Sequence, residues 1–379
     1  MQPKNILFLI RSLDKGGAEK QLSLLAVGLA GMGHRVRVLT YYNAANISGN
    51  FNYDVLQKAS VEVISINKRG RYDIIGFLFR YRKILKQIKP DIIYSFLELS
   101  NFLACFARII LNNVKIVWGK RSAKLEFSNY GFAVKVEHKL EKLLSFVPDL
   151  IIANSNRGLD YIQNLGYKAK IVVVYNGILK QNIQTPDMRY SLFSKDNIQP
   201  QDILIGAVGR IDSAKDYETL IKAFYLAFMQ NKNLKLLIVG REIDRVYAHR
   251  VYSLIESYSL RDKVFFIPEM EQIAHFYASI DLFVSSSYTE GFSNVIGEAM
   301  AHGLFCVVTD AGDSKILVGD TGIVVPIRDC KALANGLLEA ISKDKQQLGK
   351  RAIERVHDLY TVEKMVNNTN RYLDELYEN

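Results

Sequence analysis

Short, continuous apolar runs alternate with segments of helical period along most of the chain. The first run covers residues 5–10, a polar loop with the pair Gly16-Gly17 follows, and apolar residues then recur at helical spacing over 22–29. Further apolar runs in this half cover 36–40, 61–66, 91–95, 114–118, 150–154 and 171–174. Strands that alternate with helices predict a parallel sheet covered on both faces.

The alternation stops in a polar stretch, Lys180–Gln201, which contains Pro186 and Pro200 and shows no clear apolar period. We place a domain linker there. The alternation then resumes, with predicted strands at 203–209, 234–240, 264–267, 281–285, 304–309 and 323–325. The sequence therefore predicts an α/β protein of two doubly wound parallel-sheet domains, whose sites lie at the carboxyl ends of strands and whose shared cleft is the default ligand site.

One stretch of the second half combines two strands, a loop, a short helix and two carboxylates. Glu290 lies in the loop and Glu298 in the helix, which Ser293 or Asn294 can cap and Gly303 can end. A helix N-terminus favours a phosphate, and a carboxylate about one turn in can accept hydroxyl hydrogen bonds from a ribose. Taken alone, the same glutamates fit a solvated loop residue and a helix-start carboxylate.

Two cations follow another predicted strand of the same domain. Arg210 lies at the end of that strand and Lys215 in the next loop. Fixed cations at a strand's carboxyl end can hold a diphosphate. A surface Arg and Lys in one loop are usually only solvated, and the pair gains weight here from Glu290 and Glu298.

The residues quoted so far resemble the donor-binding domain of glycosyltransferase family 4. The likeness is carried by Val208-Gly209-Arg210 with Lys215, Glu290-Gly291-Phe292-Ser293-Asn294, Glu298-Ala299-Met300-Ala301-His302-Gly303, Asp310-Ala311-Gly312-Asp313-Ser314, Asp320-Thr321-Gly322-Ile323-Val324-Val325-Pro326, Gly16-Gly17-Ala18-Glu19, Ala153-Asn154-Ser155 and Tyr175-Asn176-Gly177-Ile178. It implies a GT-B fold, with an acceptor domain at 1–185, a nucleotide-sugar domain at 200–357 and a last helix, about 358–379, that returns to the first domain.

The resemblance also implies a role for each matching donor-site residue. Arg210 and Lys215 would hold the nucleotide diphosphate and stabilise the leaving group, and Glu290 would contact the transferred sugar. Glu298 would bind the ribose hydroxyls. The backbone N–H groups that would contact the phosphate and sugar belong to Phe292, Ser293, Asn294 and Val295.

The resemblance has two consequences for the first domain, one at the glycine pair and one at a position where many relatives have a histidine. Gly16 and Gly17 would let the backbone approach the phosphate or the reaction centre. Many relatives carry a histidine near the reacting sugar, whereas this chain has Lys120 and Arg121 at the corresponding strand end. We expect these two cations to face the cleft and assign them to acceptor contacts, with an ordinary charged loop as the alternative.

Composition and charge limit the classes of partner that the protein is expected to bind. The 379-residue chain is 49% hydrophobic, and its net charge of +10 divides into +15 for residues 1–190 and −5 for the remainder. Basic halves bind anionic partners, but the cations follow no nucleic-acid reader motif, so we expect no nucleic acid. The three cysteines are scattered and indicate neither a disulfide framework nor a metal site. The chain also has no Asp-x-Asp pair that would suggest a metal, and we expect no cofactor.

The segment Lys68–Lys89 contains eight cations among apolar and aromatic residues at helical spacing. This pattern suits a helix on an anionic membrane surface, and it also suits a core helix with a solvated basic face. We expect neither a signal peptide nor a transmembrane segment, because the apolar runs are short or contain charges. The location expected from these features is cytoplasmic, peripheral on the inner face of the cytoplasmic membrane.

Together these features predict a retaining glycosyltransferase. It would move a hexose or N-acetylhexosamine from a nucleotide sugar, UDP-linked in our interpretation, to a lipid-linked or polysaccharide acceptor in cell-surface glycan biosynthesis. The alternatives are a soluble transferase that makes a small glycoside and a non-catalytic protein that binds an anionic ligand.

Overall fold

The structure, a computed structural model, describes residues 2–42, 50–121, 132–180 and 198–378. The chain divides into two compact units, the first made of Met1–Gly177 with Val362–Asn379 and the second of Ile178–Thr361. The sequence placed the boundaries at 1–185 and 200–357, with a returning helix from about 358. Most of the predicted linker, 181–197, lies outside the described residues.

The first unit contains a seven-stranded parallel sheet in the order β3-β2-β1-β4-β5-β6-β7. Its strands are β1 (Asn5–Ile10), β2 (Arg35–Thr40), β3 (Glu62–Ser65), β4 (Ile92–Phe96), β5 (Lys115–Lys120), β6 (Leu150–Ala153) and β7 (Ile171–Val173). The helices are α1 (Gly17–Gly31), α2 (Phe51–Lys58), α3 (Ile75–Ile88), α4 (Glu98–Ile110), α5 (Phe132–Leu143), α6 (Asn156–Asn164) and, at the C-terminus, α14 (Val362–Glu375).

Helices cover both faces of this sheet, so its central strands can be apolar along their whole length. Residues 6–10 of β1 and all of β4 are buried, as expected for parallel strands without a solvated face. The C-terminal helix α14 packs on α1, where a Cβ on Gly28 would lie 2.2 Å from a methyl group of Val366. His34 at the end of α1 hydrogen-bonds Asn370 of α14 at 2.8 Å, so this histidine has a structural role.

The second unit contains a six-stranded parallel sheet in the order β10-β9-β8-β11-β12-β13. Its strands are β8 (Ile203–Val208), β9 (Leu234–Val239), β10 (Val264–Ile267), β11 (Leu282–Ser285), β12 (Cys306–Thr309) and β13 (Gly322–Val325). The helices are α7 (Tyr217–Gln230), α8 (Arg245–Ser257), α9 (Ile273–Ser279), α10 (Asn294–Ala301), α11 (Ser314–Val318), α12 (Cys330–Ser342) and α13 (Lys345–Leu359). The predicted pair of doubly wound α/β domains is confirmed.

The basic segment Lys68–Lys89 is helical only from Ile75 to Ile88. One of its eight cations, Arg80, is used inside the unit, because it pairs with Asp73 and donates to the carbonyl oxygen of Ile66 at 2.8 Å. No helix in the described parts of the chain has the length and apolar character needed to cross a membrane.

Candidate active site

The carboxyl ends of β8 and β11 bring two loops of the second unit together, because these strands are neighbours in the sheet. The backbone N–H of Tyr288 donates to the carbonyl oxygen of Ala214 at 3.1 Å, and the Ser286 hydroxyl donates to the carbonyl oxygen of Lys215 at 2.8 Å. These bonds fix the loop that carries Glu290 against the loop that carries Lys215.

Lys215 and Glu290 form an ion pair across these two loops. The Lys215 Nζ lies 2.5 Å from the Glu290 Oε1, and the side chains of Lys215 and Glu290 are 17% and 15% exposed. The Ser287 hydroxyl donates to the same carboxylate oxygen at 2.9 Å. Glu290 is thus held by a cation and a hydroxyl while both charged groups stay within reach of solvent.

Arg210 extends from the first of these loops and is 60% exposed at its side chain. Its guanidinium lies 3.0 Å from the carboxylate of Asp212. Asp212 also accepts from the backbone N–H of Ala214 at 3.1 Å, which caps a 3₁₀ turn over Ser213–Lys215. Sequence reasoning missed Asp212, although an Asp just before a short helical turn is an ordinary capping signal.

The helix α10 begins after Ser293, as predicted, but the Ser293 side chain does not cap it. Ser293 is 3% exposed, and its hydroxyl has no hydrogen-bond partner among the described residues. A buried hydroxyl of this kind is normally satisfied, so Ser293 is an unusual buried donor at the residue that precedes the helix. Gly303 ends the helix with a φ of +75°, as predicted.

A close backbone contact holds the loop before α10. Gly312 has a φ of +55°, and a Cβ there would lie 2.3 Å from the carbonyl oxygen of Glu290. Only a glycine fits this approach. Phe292 is buried, with its ring centroid 5.3 Å from that of Tyr360, whereas Asn294 and Val295 are partly exposed.

Glu298 lies in α10 and accepts a hydrogen bond from the hydroxyl of Tyr277 at 3.2 Å. Tyr277 belongs to α9 and is fully buried, with its ring 4.9 Å from that of His302. Burial and the Glu298 carboxylate raise the pKa of Tyr277 well above its usual value, so the phenol stays a neutral donor. Sequence reasoning missed Tyr277, because an aromatic residue in an apolar helix pattern indicates only a core position.

In the first unit, the glycine pair lies at the start of α1 rather than within a loop. Gly16 is the N-cap in an extended conformation, and its carbonyl oxygen accepts from the Lys20 N–H at 3.0 Å. A Cβ on Gly16 would lie 2.1 Å from a carboxylate oxygen of Glu19. The pair therefore lies at a helix N-terminus, where the Glu19 carboxylate is close to Gly16.

The expectation that Lys120 faces outward needs a correction. Lys120 is 2% exposed, and its ammonium lies 2.8 Å from Glu141 and 3.2 Å from Glu98. Glu141 is fully buried and also accepts from Asn101 at 2.8 Å and from Tyr167 at 3.0 Å. The last residue of β5 thus points into the domain, because helices cover both faces of the sheet and buried carboxylates need a countercharge.

The protonation of this buried network follows from its charges. Burial opposes the charge on Lys120, but the carboxylates of Glu141 and Glu98 outweigh that effect and raise its pKa. Burial likewise opposes the charge on Glu98, and Lys120 outweighs it, so the pKa of Glu98 is lowered. Burial and the neighbouring Lys120 lower the pKa of His138, which keeps that imidazole neutral near pH 7.

Arg121 follows Lys120 and has a different environment. Its guanidinium lies 4.1 Å from the ring centroid of Phe96 and donates to Asn176 at 3.0 Å and to the Tyr94 hydroxyl at 3.3 Å. Its Nε has no hydrogen-bond partner in the described part of the chain. Burial lowers the pKa of Arg121. An acceptor contact therefore stays a prediction for Arg121.

Across residues 2–42, 50–121, 132–180 and 198–378, no three His, Cys, Asp or Glu side chains are grouped as a metal site requires. The cations of this site are paired with carboxylates, Lys215 with Glu290 and Arg210 with Asp212.

Two family models match the chain, one over each half. "Glycosyltransferase Family 4" matches residues 15–179, and "Glycosyl transferases group 1" matches residues 189–355. Together they span both the glycine pair and the Lys215–Glu290 site.

Two named relatives show the range of the resemblance. The N-acetylgalactosamine-N,N'-diacetylbacillosaminyl-diphospho-undecaprenol 4-alpha-N-acetylgalactosaminyltransferase of Campylobacter jejuni is 26% identical over 89% of this chain and 90% of its own. The capsular polysaccharide biosynthesis glycosyltransferase CapM of Staphylococcus aureus is also 26% identical, over 72% of this chain and 73% of its own.

Solved structures of similar fold cover almost the whole chain. HepE of Anabaena, solved with UDP and glucose, has a TM-score of 0.83 at 20% identity and covers 98% of this chain and 99% of its own. The sucrose-phosphate synthase of Thermosynechococcus elongatus has a TM-score of 0.80 at 21% identity and covers 100% of both chains. The chain has the GT-B fold and belongs to glycosyltransferase family 4.

Proposed function

We propose that this glycosyltransferase retains anomeric configuration and moves a hexose or N-acetylhexosamine from a UDP-sugar to a lipid-linked or polysaccharide acceptor in cell-surface glycan biosynthesis. The observation that carries the proposal is the cluster at the strand ends of the second unit. There the Lys215–Glu290 pair, the buried Ser293 hydroxyl and the Tyr277-held Glu298 are gathered on neighbouring elements.

The cluster offers a separate group for each part of a nucleotide sugar. In the proposed reaction, the bond between the sugar C1 and the phosphate oxygen breaks, and the electron pair stays on the departing diphosphate. Lys215 and Arg210 stabilise that growing negative charge, together with the N–H groups at the start of α10. Glu298 accepts from the ribose hydroxyls, and Glu290 orients the transferred sugar.

The first unit contributes to both substrates in this proposal. Gly16 and Gly17, at the start of α1, let the backbone approach the phosphate or the reaction centre, and the Arg121 guanidinium contacts the acceptor. The acceptor hydroxyl oxygen forms the new bond to C1, and its proton passes to an oxygen of the departing diphosphate. Because the positive charge comes from side chains and helix termini, we propose that no metal or cofactor is required.

The acceptor class is proposed from the relatives and from the charge of the chain. The Campylobacter jejuni relative is named for a diphospho-undecaprenol acceptor and an alpha linkage, and the Staphylococcus aureus relative for capsular polysaccharide. The +15 charge of residues 1–190 suits an anionic, diphosphate-linked acceptor. We further propose that the protein contacts the inner face of the cytoplasmic membrane, partly through the basic segment Lys68–Lys89.

A transferase that makes a small glycoside is the second candidate. It is favoured by a relative, the N-acetyl-alpha-D-glucosaminyl L-malate synthase of Bacillus anthracis, which is 26% identical over 52% of this chain and 51% of its own. A small acceptor would need no lipid surface, so activity towards soluble acceptors alone would favour this candidate.

The test offers UDP- and GDP-sugars to the full chain and measures hydrolysis and transfer, with Glu298→Ala as the matched variant. We expect turnover with a UDP-sugar, no loss of rate in EDTA, an α-linked product by NMR, and a much higher KM for the variant. An absence of turnover with every donor, with lipid-linked and soluble acceptors alike, would contradict the enzymatic proposal.

The contact of the basic segment with lipid has its own test. Lys83→Glu with Lys86→Glu reverses two exposed charges of α3, and flotation with phosphatidylglycerol vesicles should then recover less protein. Arg80 is unsuitable for this test because it is bonded within the unit. Equal flotation of wild type and variant would remove the segment from the proposal.

A further inference from the structure

Arg328 has a backbone conformation that its own loop does not explain. In the described part of the second unit, three residues other than glycine have a positive φ: Asp216 (+48°), Ser259 (+54°) and Arg328 (+59°). Ser259 follows the end of α8, where this conformation is ordinary. Asp216 caps α7 through its side chain, which accepts from the Thr219 N–H at 3.3 Å. Arg328 has neither role, because it lies in the turn between β13 and α12 and the cap of α12 is Asp329.

The Arg328 side chain reaches the loop that carries Glu290. Its guanidinium carbon lies 4.4 Å from the ring centroid of Tyr288, which follows β11. In the sheet, β12 lies between β11 and β13, so this contact bridges two strand spacings, about 10 Å. A long side chain that ends in a planar cation suits both the distance and the face of an aromatic ring. The arginine therefore links the edge strand of the sheet with the loop of the site.

The main chain around Tyr288 is also held from two other sides. On the β8 side, its N–H donates to the carbonyl oxygen of Ala214 at 3.1 Å. On the β12 side, the Asp313 N–H donates to the carbonyl oxygen of Gly291 at 3.0 Å. Arg328 adds a support from the β13 side, and this support acts on a side chain two residues before the carboxylate of the site.

The contact between Arg328 and Tyr288 is a weak source of stability. Arg328 is exposed and Tyr288 partly exposed, and a cation–π contact contributes least at exposed sites. A left-handed conformation in a residue other than glycine has a cost of at least similar size. Stability therefore does not account for an arginine at this position. Strained residues of this kind are concentrated where a fixed geometry serves function.

We propose that Arg328 is a positioning residue, whose contact with Tyr288 holds the loop in the conformation that presents Glu290 to the transferred sugar. Arg328 does not touch the donor in this proposal and acts through Tyr288 alone. The inference rests on the role of Glu290 in the proposed function and deepens it, because it assigns part of the alignment of that carboxylate to a residue beyond the edge strand.

The main test is Arg328→Gly, which removes the contact and suits the left-handed conformation. We expect the variant to unfold at a urea concentration equal to or above that of wild type, measured by circular dichroism. Its kcat for transfer should be about tenfold lower, because a misplaced orienting group slows the chemical step. KM for the UDP-sugar should stay near wild type, since Lys215 and Glu298 are unchanged. A merely structural arginine would lower stability and activity together.

Three further variants control for strain, charge and the contact itself. Ser259→Gly relieves the same conformation outside the site loops, so it should raise the urea midpoint without changing kcat. Arg328→Lys keeps a cation that can lie over the ring, and we expect it to recover part of the lost rate. Tyr288→Leu should lower kcat as Arg328→Gly does, and the double variant should be no slower than either, because both act through one contact.

A second measurement needs no enzymatic activity. Hydrogen exchange followed by mass spectrometry reports how firmly the segment 286–292 is held in the full chain without donor. Arg328→Gly should accelerate exchange in that segment, and Ser259→Gly should leave it at the wild-type rate.

The outcomes separate this inference from the proposed function. If no protein uses any donor but exchange differs as expected, the proposed function fails and the support of the loop by Arg328 stands. A wild-type kcat in Arg328→Gly overturns the inference, and so does exchange of the segment at the wild-type rate. A fall in the urea midpoint that accompanies the fall in rate also overturns it, because Arg328 would then be a structural residue.

Discussion

Each unit places a lysine–glutamate pair at the carboxyl end of its sheet, and the two pairs differ in everything but composition. Lys120 and Glu141 are 2% and 0% exposed at their side chains, and Asn101 and Tyr167 complete the hydrogen bonds of the carboxylate. The Lys215–Glu290 pair remains partly exposed. The first pair is enclosed by its own neighbours, whereas the second is partly open to solvent.

The two pairs share the same kinds of charge and differ in burial. Burial, rather than the pairing of charges, therefore distinguishes them. A buried ion pair has lost its hydration, so removal of one partner leaves a charge that nothing else solvates. A partly exposed pair is screened by water and costs little to break. Loss of Lys120 should therefore lower stability, whereas loss of Lys215 should lower activity and change stability little.

The largest expected effect comes from Lys120→Met. The substitution leaves Glu141 charged in the interior, and removal of one partner of a buried pair costs about 3–5 kcal/mol. Trp118 lies two residues before Lys120 in β5 and is the chain's only tryptophan, so its fluorescence reports unfolding of the first unit alone. Urea titration should show that transition at clearly lower urea than in wild type.

A second variant tests the cause of that loss. Lys120→Met combined with Glu141→Gln removes both charges, and we expect it to recover part of the lost stability. A Trp118 transition at the wild-type urea concentration in Lys120→Met would show that the buried pair does not have the structural role that its geometry indicates.

The next effect comes from Lys215→Met, where activity rather than stability should fall. Loss of one donor to a developing anionic charge typically lowers kcat by about 10²–10³-fold. The partly exposed Glu290 gains water as a partner, so we expect the urea midpoint of the second unit to change little. Steady-state kinetics with the UDP-sugar that wild type uses provide the measurement.

Lys222→Met is the matched control for that variant. Lys222 is exposed on α7, the helix that follows the site loop, and its loss should leave kcat unchanged. Equal rates in Lys215→Met and wild type would contradict the assignment of Lys215 to the leaving group.

Sequence reasoning found the exposed pair because its residues obey a topological rule. Lys215 and Glu290 are 75 residues apart, yet each follows a predicted strand, and the carboxyl ends of parallel strands meet at one edge of the sheet. The end of α10 was also a local signal, since Gly303 adopts a positive φ there, whereas the predicted side-chain cap by Ser293 did not form. The strands themselves were visible as continuous apolar runs.

The buried pair could not be found in the same way. Lys120 ends an apolar strand next to Arg121, and nothing in that dipeptide tells which cation turns inward. The partner Glu141 lies in α5, where a helix with apolar residues on its outer side gives a misleading period. Burial of a charge depends on distant residues that supply its partners, and one sequence does not state those distances.

The smallest expected effect concerns Tyr277, whose hydroxyl lies 3.2 Å from the Glu298 carboxylate and 3.4 Å from the carbonyl oxygen of Val295. Tyr277→Phe removes these contacts, and a hydrogen bond to a charged group contributes about 1.5–3 kcal/mol when fully buried and less when water can replace it. Because the proposed function assigns Glu298 to the ribose and the phenol holds its carboxylate, we expect KM for the donor to rise several-fold while kcat stays near wild type. The Glu298→Ala variant then serves as the reference, and the two changes should not add, because both act on the same proposed contact. A fall in kcat with unchanged KM would instead mean that Tyr277 shapes the core of the unit, and an additive double variant would separate it from Glu298.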